Sequence, residues 1–220
     1  MMDSAVLFSG GLDSAVLLAL ERSAHDPVWP IHVRAGLAWE AAEARAITRL
    51  LARPPFAGRI APVQTLTLDM RDVYPPTHWA VRGQPPAYDT PDEDVYLEGR
   101  NIVLLSKAAV LCARLQVSRL ALGPLAGNPF PDATREFFDT MGRALSIGLS
   151  RRIDVATPLA SLHKEDVIVE GRRLGVPLEL SVSCMNPGEG DEHCGGCSKC
   201  RERRDAFRVA GVDDLTRYAS

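Results

Sequence analysis

The sequence is poor in several features that would indicate particular classes of protein. It contains no apolar run of the roughly 20 residues that a membrane-spanning helix needs, so we expect no membrane partner. Its net charge is only −3 over 220 residues, which argues against nucleic acid as a partner. No charged segment followed by an apolar core stands at the N-terminus, so we expect no signal peptide and a cytoplasmic protein.

Cysteine is scarce and unevenly placed. Of the five cysteines, Cys112 stands alone and the other four lie between positions 184 and 200. In a chain without an export signal, such clustering favours a metal site in a reducing compartment over disulfides. The length fits one sizeable domain, or one domain with a small appendage.

Short β-type apolar runs alternate with longer helical runs along most of the chain. The predicted strands are Ala5–Phe8, Trp29–Val33, Val63–Leu68, Arg119–Leu122 and Ile153–Ala156. The predicted helices are Trp39–Ala52, Asn101–Leu115, Asp132–Leu145 and His163–Leu174, with another starting at Ser14–Leu20. Strands separated by helices predict an α/β fold with a parallel sheet, which binds ligands beyond the carboxyl ends of its strands.

Two segments interrupt this alternation. One is the cysteine-bearing tail, and the other is the proline-rich segment Asp69–Tyr96, which has little periodicity. Long irregular segments in compact domains are often functional or mobile. Asp69–Tyr96 is therefore either a surface excursion or a substrate loop, and the sequence leaves both open.

A glycine-rich stretch, FSGGLDS at Phe8–Ser14, joins the first strand to the first helix. Glycines allow the main chain to approach an anion closely, and the N–H groups of a helix N-terminus complete an anion pocket. Ser9 and Ser14 add hydroxyl donors, whereas Asp13 needs a cation or an ordered donor beside it. An ordinary strand–helix turn explains one glycine and one capping residue but not the whole set. We therefore predict that this loop binds phosphate.

The tail carries the spacing C-x9-C-x2-C-x2-C, formed by Cys184, Cys194, Cys197 and Cys200. Short C-x2-C steps let neighbouring thiolates bind one ion, and the longer arm supplies the fourth ligand of a tetrahedron. The pattern predicts a structural zinc site, because four protein ligands leave no open position for water. An iron–sulfur cluster is the alternative, and we assign His193 to a loop.

These motifs resemble those of a known family. SGGLDS is similar to the SGGxDS signature of the PP-loop ATP pyrophosphatases, and with the cysteine pattern the chain resembles the 7-cyano-7-deazaguanine synthase family. Three further segments match the family and extend the resemblance over nearly the whole chain: Gly99–Asn101, Pro158–Glu165 and Gly175–Leu180.

The resemblance implies a fold and an activity. The fold is a Rossmann-like, adenine nucleotide alpha hydrolase-like parallel sheet over residues 1–180, with a zinc-binding region over 181–220, in a homodimer. ATP first adenylates 7-carboxy-7-deazaguanine, and ammonia displaces AMP to give an amide. A second ATP activates the amide oxygen, and elimination leaves the nitrile that feeds queuosine-type nucleosides. The implied cofactors are ATP, Mg²⁺ and Zn²⁺, and the partners are a small carboxylate and ammonia.

The resemblance also implies residue roles. Lys164 would place a positive charge on the phosphates; it starts a helix, where the helix dipole disfavours a cation. With Asp13 it forms the expected catalytic pair. Arg100 and Asn101 either line the nucleotide pocket or cap their helix. The full expected nucleotide set is Phe8, Ser9, Gly10, Gly11, Leu12, Asp13, Ser14, Arg100, Asn101, Gly123 and Lys164.

The chain departs from the family pattern in two places. Residues 34–40 (RAGLAWE) replace the family's Y-G-Q-x-H, and Ala133 and Thr134 replace the cysteine and arginine of Y-P-D-C-R. Threonine cannot pair with a substrate carboxylate bidentately, as arginine can. We assign Asp132 and Glu136 to the substrate, and the alternative for Asp132 is the N-cap of the helix that follows.

Three hypotheses follow from this divergence. The chain is a cyano-deazaguanine synthase with a variant pocket, a paralogue that adenylates another carboxylate, or a nucleotide-binding module without turnover.

Overall fold

The computed structural model describes residues 3–219, and its centre is a parallel sheet of five strands. These are β1 (Ser4–Leu7), β2 (Val28–Arg34), β3 (Gln64–Thr67), β4 (Arg119–Ala121) and β5 (Asp154–Ala156). Their order is β3-β2-β1-β4-β5, and every neighbouring pair is parallel. The predicted α/β fold is therefore confirmed.

Helices cover both faces of the sheet. They are α1 (Leu12–Ala24), α2 (Glu40–Leu51), α3 (Trp79–Arg82), α4 (Arg100–Leu115), α5 (Arg135–Gly148), α6 (Lys164–Arg173) and α7 (Ser198–Ala210). Because side chains alternate along a strand, Val6 packs with α1, α2, α6 and α7 on one face, and Ala5 packs with α4 and α5 on the other.

The helix predicted over Asp132–Leu145 begins later than expected. Pro131–Ala133 forms a 3-10 turn, and α5 starts at Arg135 because the Thr134 hydroxyl accepts a hydrogen bond from the Phe137 N–H at 3.1 Å. The N-cap of α5 is therefore Thr134, and the alternative that Asp132 caps this helix is wrong.

The proline-rich segment Asp69–Tyr96 is held against the rest of the molecule. Trp79 stacks on Trp39 at the start of α2, with ring centroids 5.7 Å apart. The Arg201 guanidinium, on α7, donates hydrogen bonds to the carbonyls of Tyr88 and Thr90 at 2.6 and 3.0 Å. These contacts place the segment beside the carboxyl ends of β1 and β2.

The C-terminal region, which contains the unpredicted helix α7, packs on the sheet domain. Arg203 is fully buried and donates hydrogen bonds to the Ser181 hydroxyl and the Leu178 carbonyl at 3.0 and 2.8 Å. Asp191 forms ion pairs with Arg45 and Arg49 of α2. The division at residue 180 stays a prediction. Within residues 3–219, none of the helices has the length and apolar character that crossing a membrane requires.

A buried ion pair closes the amino end of the sheet. Glu21 of α1 is 3% exposed and accepts hydrogen bonds from the Ser4 hydroxyl at 2.5 Å and from the Arg119 guanidinium at 2.8 Å. Burial disfavours the charged carboxylate, but the hydrogen bonds from Arg119 and Ser4, together with the charges of Arg119 and His25, outweigh burial and lower the pKa of Glu21. The pair connects α1 to β1 and β4.

We predict that Glu21→Gln lowers the free energy of unfolding by about 2 kcal/mol at pH 7, because it removes a charged acceptor from buried donors. The folded pKa lies below the ordinary 4.5, so ionised Glu21 stabilises the fold above that pH and the effect is lost as pH falls through the folded pKa. The measurement is urea unfolding of both proteins as a function of pH.

The matched control is Glu170→Gln, which removes a solvent-accessible pair with Arg173 and should cost about 0.5 kcal/mol or less. Equal losses in the two variants would contradict the role given to Glu21.

Candidate functional site

The glycine-rich loop presents the N-terminus of α1 to solvent-accessible space. Ser14 Oγ donates to the Gly11 carbonyl at 3.0 Å and lies 3.3 Å from Ser9 Oγ. Among the described residues, no side chain caps the first turn of α1. The N–H groups of that turn are therefore free to bind an anion, as the sequence predicts.

Two neighbours of the loop leave no room for a side chain at residue 10, which is a glycine. Its φ is +76°, and a Cβ there would lie 3.1 Å from the Glu43 carbonyl oxygen and 3.1 Å from Ile47 Cγ1, both on α2. Its own carbonyl accepts a hydrogen bond from the Val182 N–H at 3.0 Å. The loop is thereby clamped between α2 and the C-terminal region.

Asp13 receives the cation that its position requires. Lys164 Nζ lies 2.6 Å from Asp13 Oδ2 and 3.4 Å from Glu202 Oε1. Burial disfavours the charge on Lys164, but attraction to these two carboxylates outweighs burial and raises its pKa. Asp13 Oδ1 is buried and has no hydrogen-bond partner among residues 3–219, so it is free to bind a metal cation.

The charges continue from Lys164 across the site. Lys199 Nζ lies 2.6 Å from Glu202 Oε2 and 3.5 Å from Asp92 Oδ1. Burial alone would raise the pKa of Glu202, but Lys164 and Lys199 lower it to about 2. A chain of alternating charges therefore joins the loop, α6, α7 and the proline-rich segment.

Two adjoining cavities open at the loop. The strand-end cavity, about 280 Å³, is lined by the ends of β1, β2 and β4, including Phe8, Ile31, His32, Val33 and Leu122. The lysine cavity, about 460 Å³, is lined by Trp39, Trp79, Lys164, Met185, Lys199 and Glu202. Both are lined by Ser9, Gly11, Asp13, Glu43, Arg100 and Gly123. The loop thus lies where the two cavities meet.

The start of α4 combines the two roles left open for Arg100 and Asn101. The Asn101 N–H donates to Asp132 Oδ2, and its side-chain amide donates to the Asp132 carbonyl, both at 2.9 Å. Asp132 therefore caps α4 rather than α5. Arg100 Nε is buried without a hydrogen-bond partner in the described chain, and Arg100 lines both cavities.

The structure brings most of the predicted site residues together. Gly10 lies in the loop beneath the cavities, and Glu136, on the first turn of α5, is exposed and lines neither cavity. In the first turn of α5, Phe138 is buried against the core and Glu136 lies on the exposed side. The predicted residues that line a cavity are Phe8, Ser9, Gly11, Leu12, Asp13, Ser14, Arg100, Asn101, Gly123, Asp132 and Lys164.

Glu43 is a site residue that the sequence did not identify. It is 8% exposed, and burial, opposed by Arg100 and reinforced by Glu40, raises its pKa to about 7. Glu40 instead accepts hydrogen bonds from the N–H groups of Ala35 and Gly36. Two glutamates three residues apart share a helix face, so their spacing predicts neighbours but not which one reaches the cavity.

The four clustered cysteines could hold a metal ion. All four Sγ atoms lie within 4.8 Å of one another, with Cys200 Sγ 3.5 Å from Cys197 Sγ and 3.9 Å from Cys194 Sγ. Tetrahedral zinc thiolates require separations of about 3.8 Å. Cys184 Sγ accepts hydrogen bonds from the N–H groups of Asn186 and Cys194. His193 lies outside the cluster, and its Nε2 accepts from the Ser183 N–H at 3.2 Å.

We predict that the purified protein carries one metal ion per chain and that Cys200→Ser reduces this content severalfold, because three thiolates cannot close the site. Elemental analysis after gel filtration measures the metal. The matched control is Cys112→Ser, which alters a buried cysteine outside the cluster and should keep the metal. Equal metal in both variants would contradict the assignment.

Curated relatives resemble the chain over most of its length. The 7-cyano-7-deazaguanine synthase of Methanothrix thermoacetophila is 34% identical over 225 residues, which cover 96% of each chain. The 7-cyano-7-deazaguanine synthase 1 of Desulfitobacterium hafniense is 31% identical over 93% of this chain and 90% of the relative. The synthase of Methanopyrus kandleri is 41% identical, over 56% of this chain and 58% of that relative.

Solved structures share the fold at low sequence identity. A 4-thiouridine synthetase–RNA complex with bound ATP matches with a TM-score of 0.52 and 14% identity, over 96% of this chain and 51% of that chain. A predicted subunit of a tRNA methyltransferase from Methanocaldococcus jannaschii matches with a TM-score of 0.50 and 15% identity, over 100% and 93%. The family model described as queuosine biosynthesis protein QueC matches residues 3–211. The chain therefore belongs to the QueC family, as its motifs predict.

Proposed function

We propose that the protein is an ATP-dependent carbon–nitrogen ligase that converts 7-carboxy-7-deazaguanine and ammonia to 7-cyano-7-deazaguanine in queuosine-type biosynthesis. The observation that carries the proposal is the anion-binding loop at the junction of two cavities. Such a junction can hold a nucleotide on one side and an acceptor on the other. Relatives that carry this enzyme's name support the same conclusion.

The strand-end cavity suits adenosine, since Phe8, Ile31 and Leu122 give it apolar walls. The phosphates then extend along the loop towards Lys164, whose positive charge is fixed by its carboxylate partners. Asp13 Oδ1 would hold Mg²⁺. When bound, that ion would neutralise charge developing on the departing pyrophosphate. We further propose that Asp132 orients Asn101 at the start of α4 rather than binding the acid.

The lysine cavity suits the heterocyclic acid, because the stacked rings of Trp39 and Trp79 offer an apolar face to a planar base. A carboxylate oxygen there can attack the α-phosphorus, and the bond to pyrophosphate breaks. Ammonia then attacks the acyl carbon and AMP leaves. The amide oxygen repeats the first attack on a second ATP, and loss of AMP gives the nitrile.

The cysteine cluster fits Zn²⁺ as a structural ion, which would crosslink the chain around the start of α7. Lys199 and Glu202 lie within and just after the ligand run, so the same crosslink positions the charges that face Lys164. The homodimer and the cytoplasmic location stay predictions.

The two departures from the family pattern place one residue in the cavity lining. Ala133 and Thr134 line neither cavity, and of residues 34–40 only Trp39 lines the lysine cavity. Thr134 has a structural role as the cap of α5. This placement favours the cyano-deazaguanine product over a different carboxylate, and the intact pairing of Asp13 with Lys164 favours turnover over nucleotide binding alone.

We predict that the protein, given MgATP, 7-carboxy-7-deazaguanine and ammonium, releases two AMP for each nitrile formed. Chromatography with mass detection measures both products. If AMP appears only when another acid is supplied, that acid is the substrate and the proposed one is wrong. If the protein binds nucleotide but releases no AMP, it is a nucleotide-binding module without turnover.

We predict that Lys164→Met lowers kcat/KM for ATP by roughly 10²–10³-fold, because a fixed positive charge is lost beside the phosphates. Steady-state assays of AMP release measure this loss. Lys107→Met, on the exposed side of α4, is the matched control and should match the wild type. A Lys164→Met enzyme within threefold of wild type would exclude the role.

A further inference from the structure

Glu43 occupies the place where the reacting groups must meet. It belongs to α2 and lines both the strand-end cavity and the lysine cavity. The glycine-rich loop packs against its backbone, because a Cβ at Gly10 would lie only 3.1 Å from the Glu43 carbonyl oxygen. The Glu43 side chain is therefore held over the loop, between the space for the nucleotide and the space for the acid.

The charged surroundings of Glu43 keep both of its protonation states accessible near neutral pH. Burial raises its pKa to about 7, with Arg100 of α4 opposing, Glu40 of α2 reinforcing, and a hydrogen bond from the Trp39 side chain opposing. Other ionisable side chains line the same cavities: Asp13 of α1, His32 of β2, Asp92 and Tyr96 of the proline-rich segment, Lys164 and Glu165 of α6, Lys199 and Glu202 of α7, and Asp132, His163 and Cys184.

Of the other carboxyl groups that line the cavities, Glu165 lines only the lysine cavity. The rest are already engaged, Asp92 with Lys199. Asp13 is paired with Lys164, Glu202 with two lysines, and Asp132 with the Asn101 N–H. His32 is buried, which lowers its pKa, but it lines only the strand-end cavity. Glu43 is therefore the group best placed to take a proton from a nitrogen bound to the acid's reacting carbon.

The proposed reaction releases protons from one nitrogen. When ammonia attacks the acyl adenylate, a C–N bond forms, the C–O bond to AMP breaks, and the new N⁺–H group must lose a proton. The amide nitrogen then carries two hydrogens and the nitrile nitrogen none. One leaves when the oxygen takes up adenylate and the C=N bond forms. The second hydrogen leaves as a proton when AMP departs, and the electron pair of the broken N–H bond becomes the second π bond of the nitrile.

We propose that Glu43 is a catalytic residue whose carboxylate takes the proton from this nitrogen, both after ammonia attacks and as AMP leaves to form the nitrile. The proposal rests on the proposed function and adds to it the base for the nitrogen steps. The proton passes from Glu43 to solvent through the open cavities, and the carboxylate is restored for the second step.

Single-turnover conversion of the amide to the nitrile, with MgATP and no ammonia, tests this directly. In the wild type the rate should rise with pH through an inflection near 7 and then level off, because the base acts when it is deprotonated. Glu43→Gln should lower the plateau by roughly 10²–10³-fold and remove the inflection. Glu43→Asp keeps a carboxylate and should recover part of the rate.

ATP–pyrophosphate exchange driven by the acid serves as the internal control, because adenylation removes no proton from nitrogen. Glu43→Gln should exchange within about threefold of the wild type, and Glu179→Gln, at an exposed site, should match it in both assays. Wild-type nitrile formation by Glu43→Gln, or equal loss of exchange and nitrile formation, would overturn the proposal. No exchange by the wild-type protein would refute the proposed function itself.

Discussion

The close approach of Gly10 to α2 is the constraint on which the site depends. The loop can lie against the Glu43 carbonyl only because residue 10 has no side chain and accepts a positive φ. On its other side the Gly10 carbonyl holds Val182. One glycine therefore fixes the distances among the anion-binding loop, the helix that carries Glu43 and the chain leading to the cysteine cluster.

The chain of alternating charges extends from the loop across the mouth of the site. Asp13, Lys164, Glu202 and Lys199 alternate in sign and come from α1, α6 and α7. Each lysine lies between two carboxylates, and for Lys164 their attraction outweighs burial and raises its pKa. A lysine fixed in this way can meet a triphosphate without reorganising, which is how preorganised charge lowers a barrier. The cysteine cluster surrounds the start of α7, which carries Lys199 and Glu202 of this chain of charges.

The sequence predicted the fold and the loop because both depend on local patterns. Strand–helix alternation and FSGGLDS need only neighbouring residues, and the need of Asp13 for a cation is met by Lys164, 151 residues away. What could not be predicted depends on tertiary contacts. Glu40 and Glu43 differ in role only through what faces them. Asp132 caps a helix that precedes it in sequence, Thr134 caps α5, and Glu136 lies on the exposed side of that helix.

The central claim is that the loop holds the departing pyrophosphate while an oxygen of the acid captures adenylate. The most direct test uses acid labelled with ¹⁸O in its carboxyl group, with MgATP and ammonium, and mass analysis of the nucleotide. We expect AMP to gain one ¹⁸O from the carboxyl group and pyrophosphate to gain none. Label in inorganic phosphate with formation of ADP, or unlabelled AMP, would contradict it.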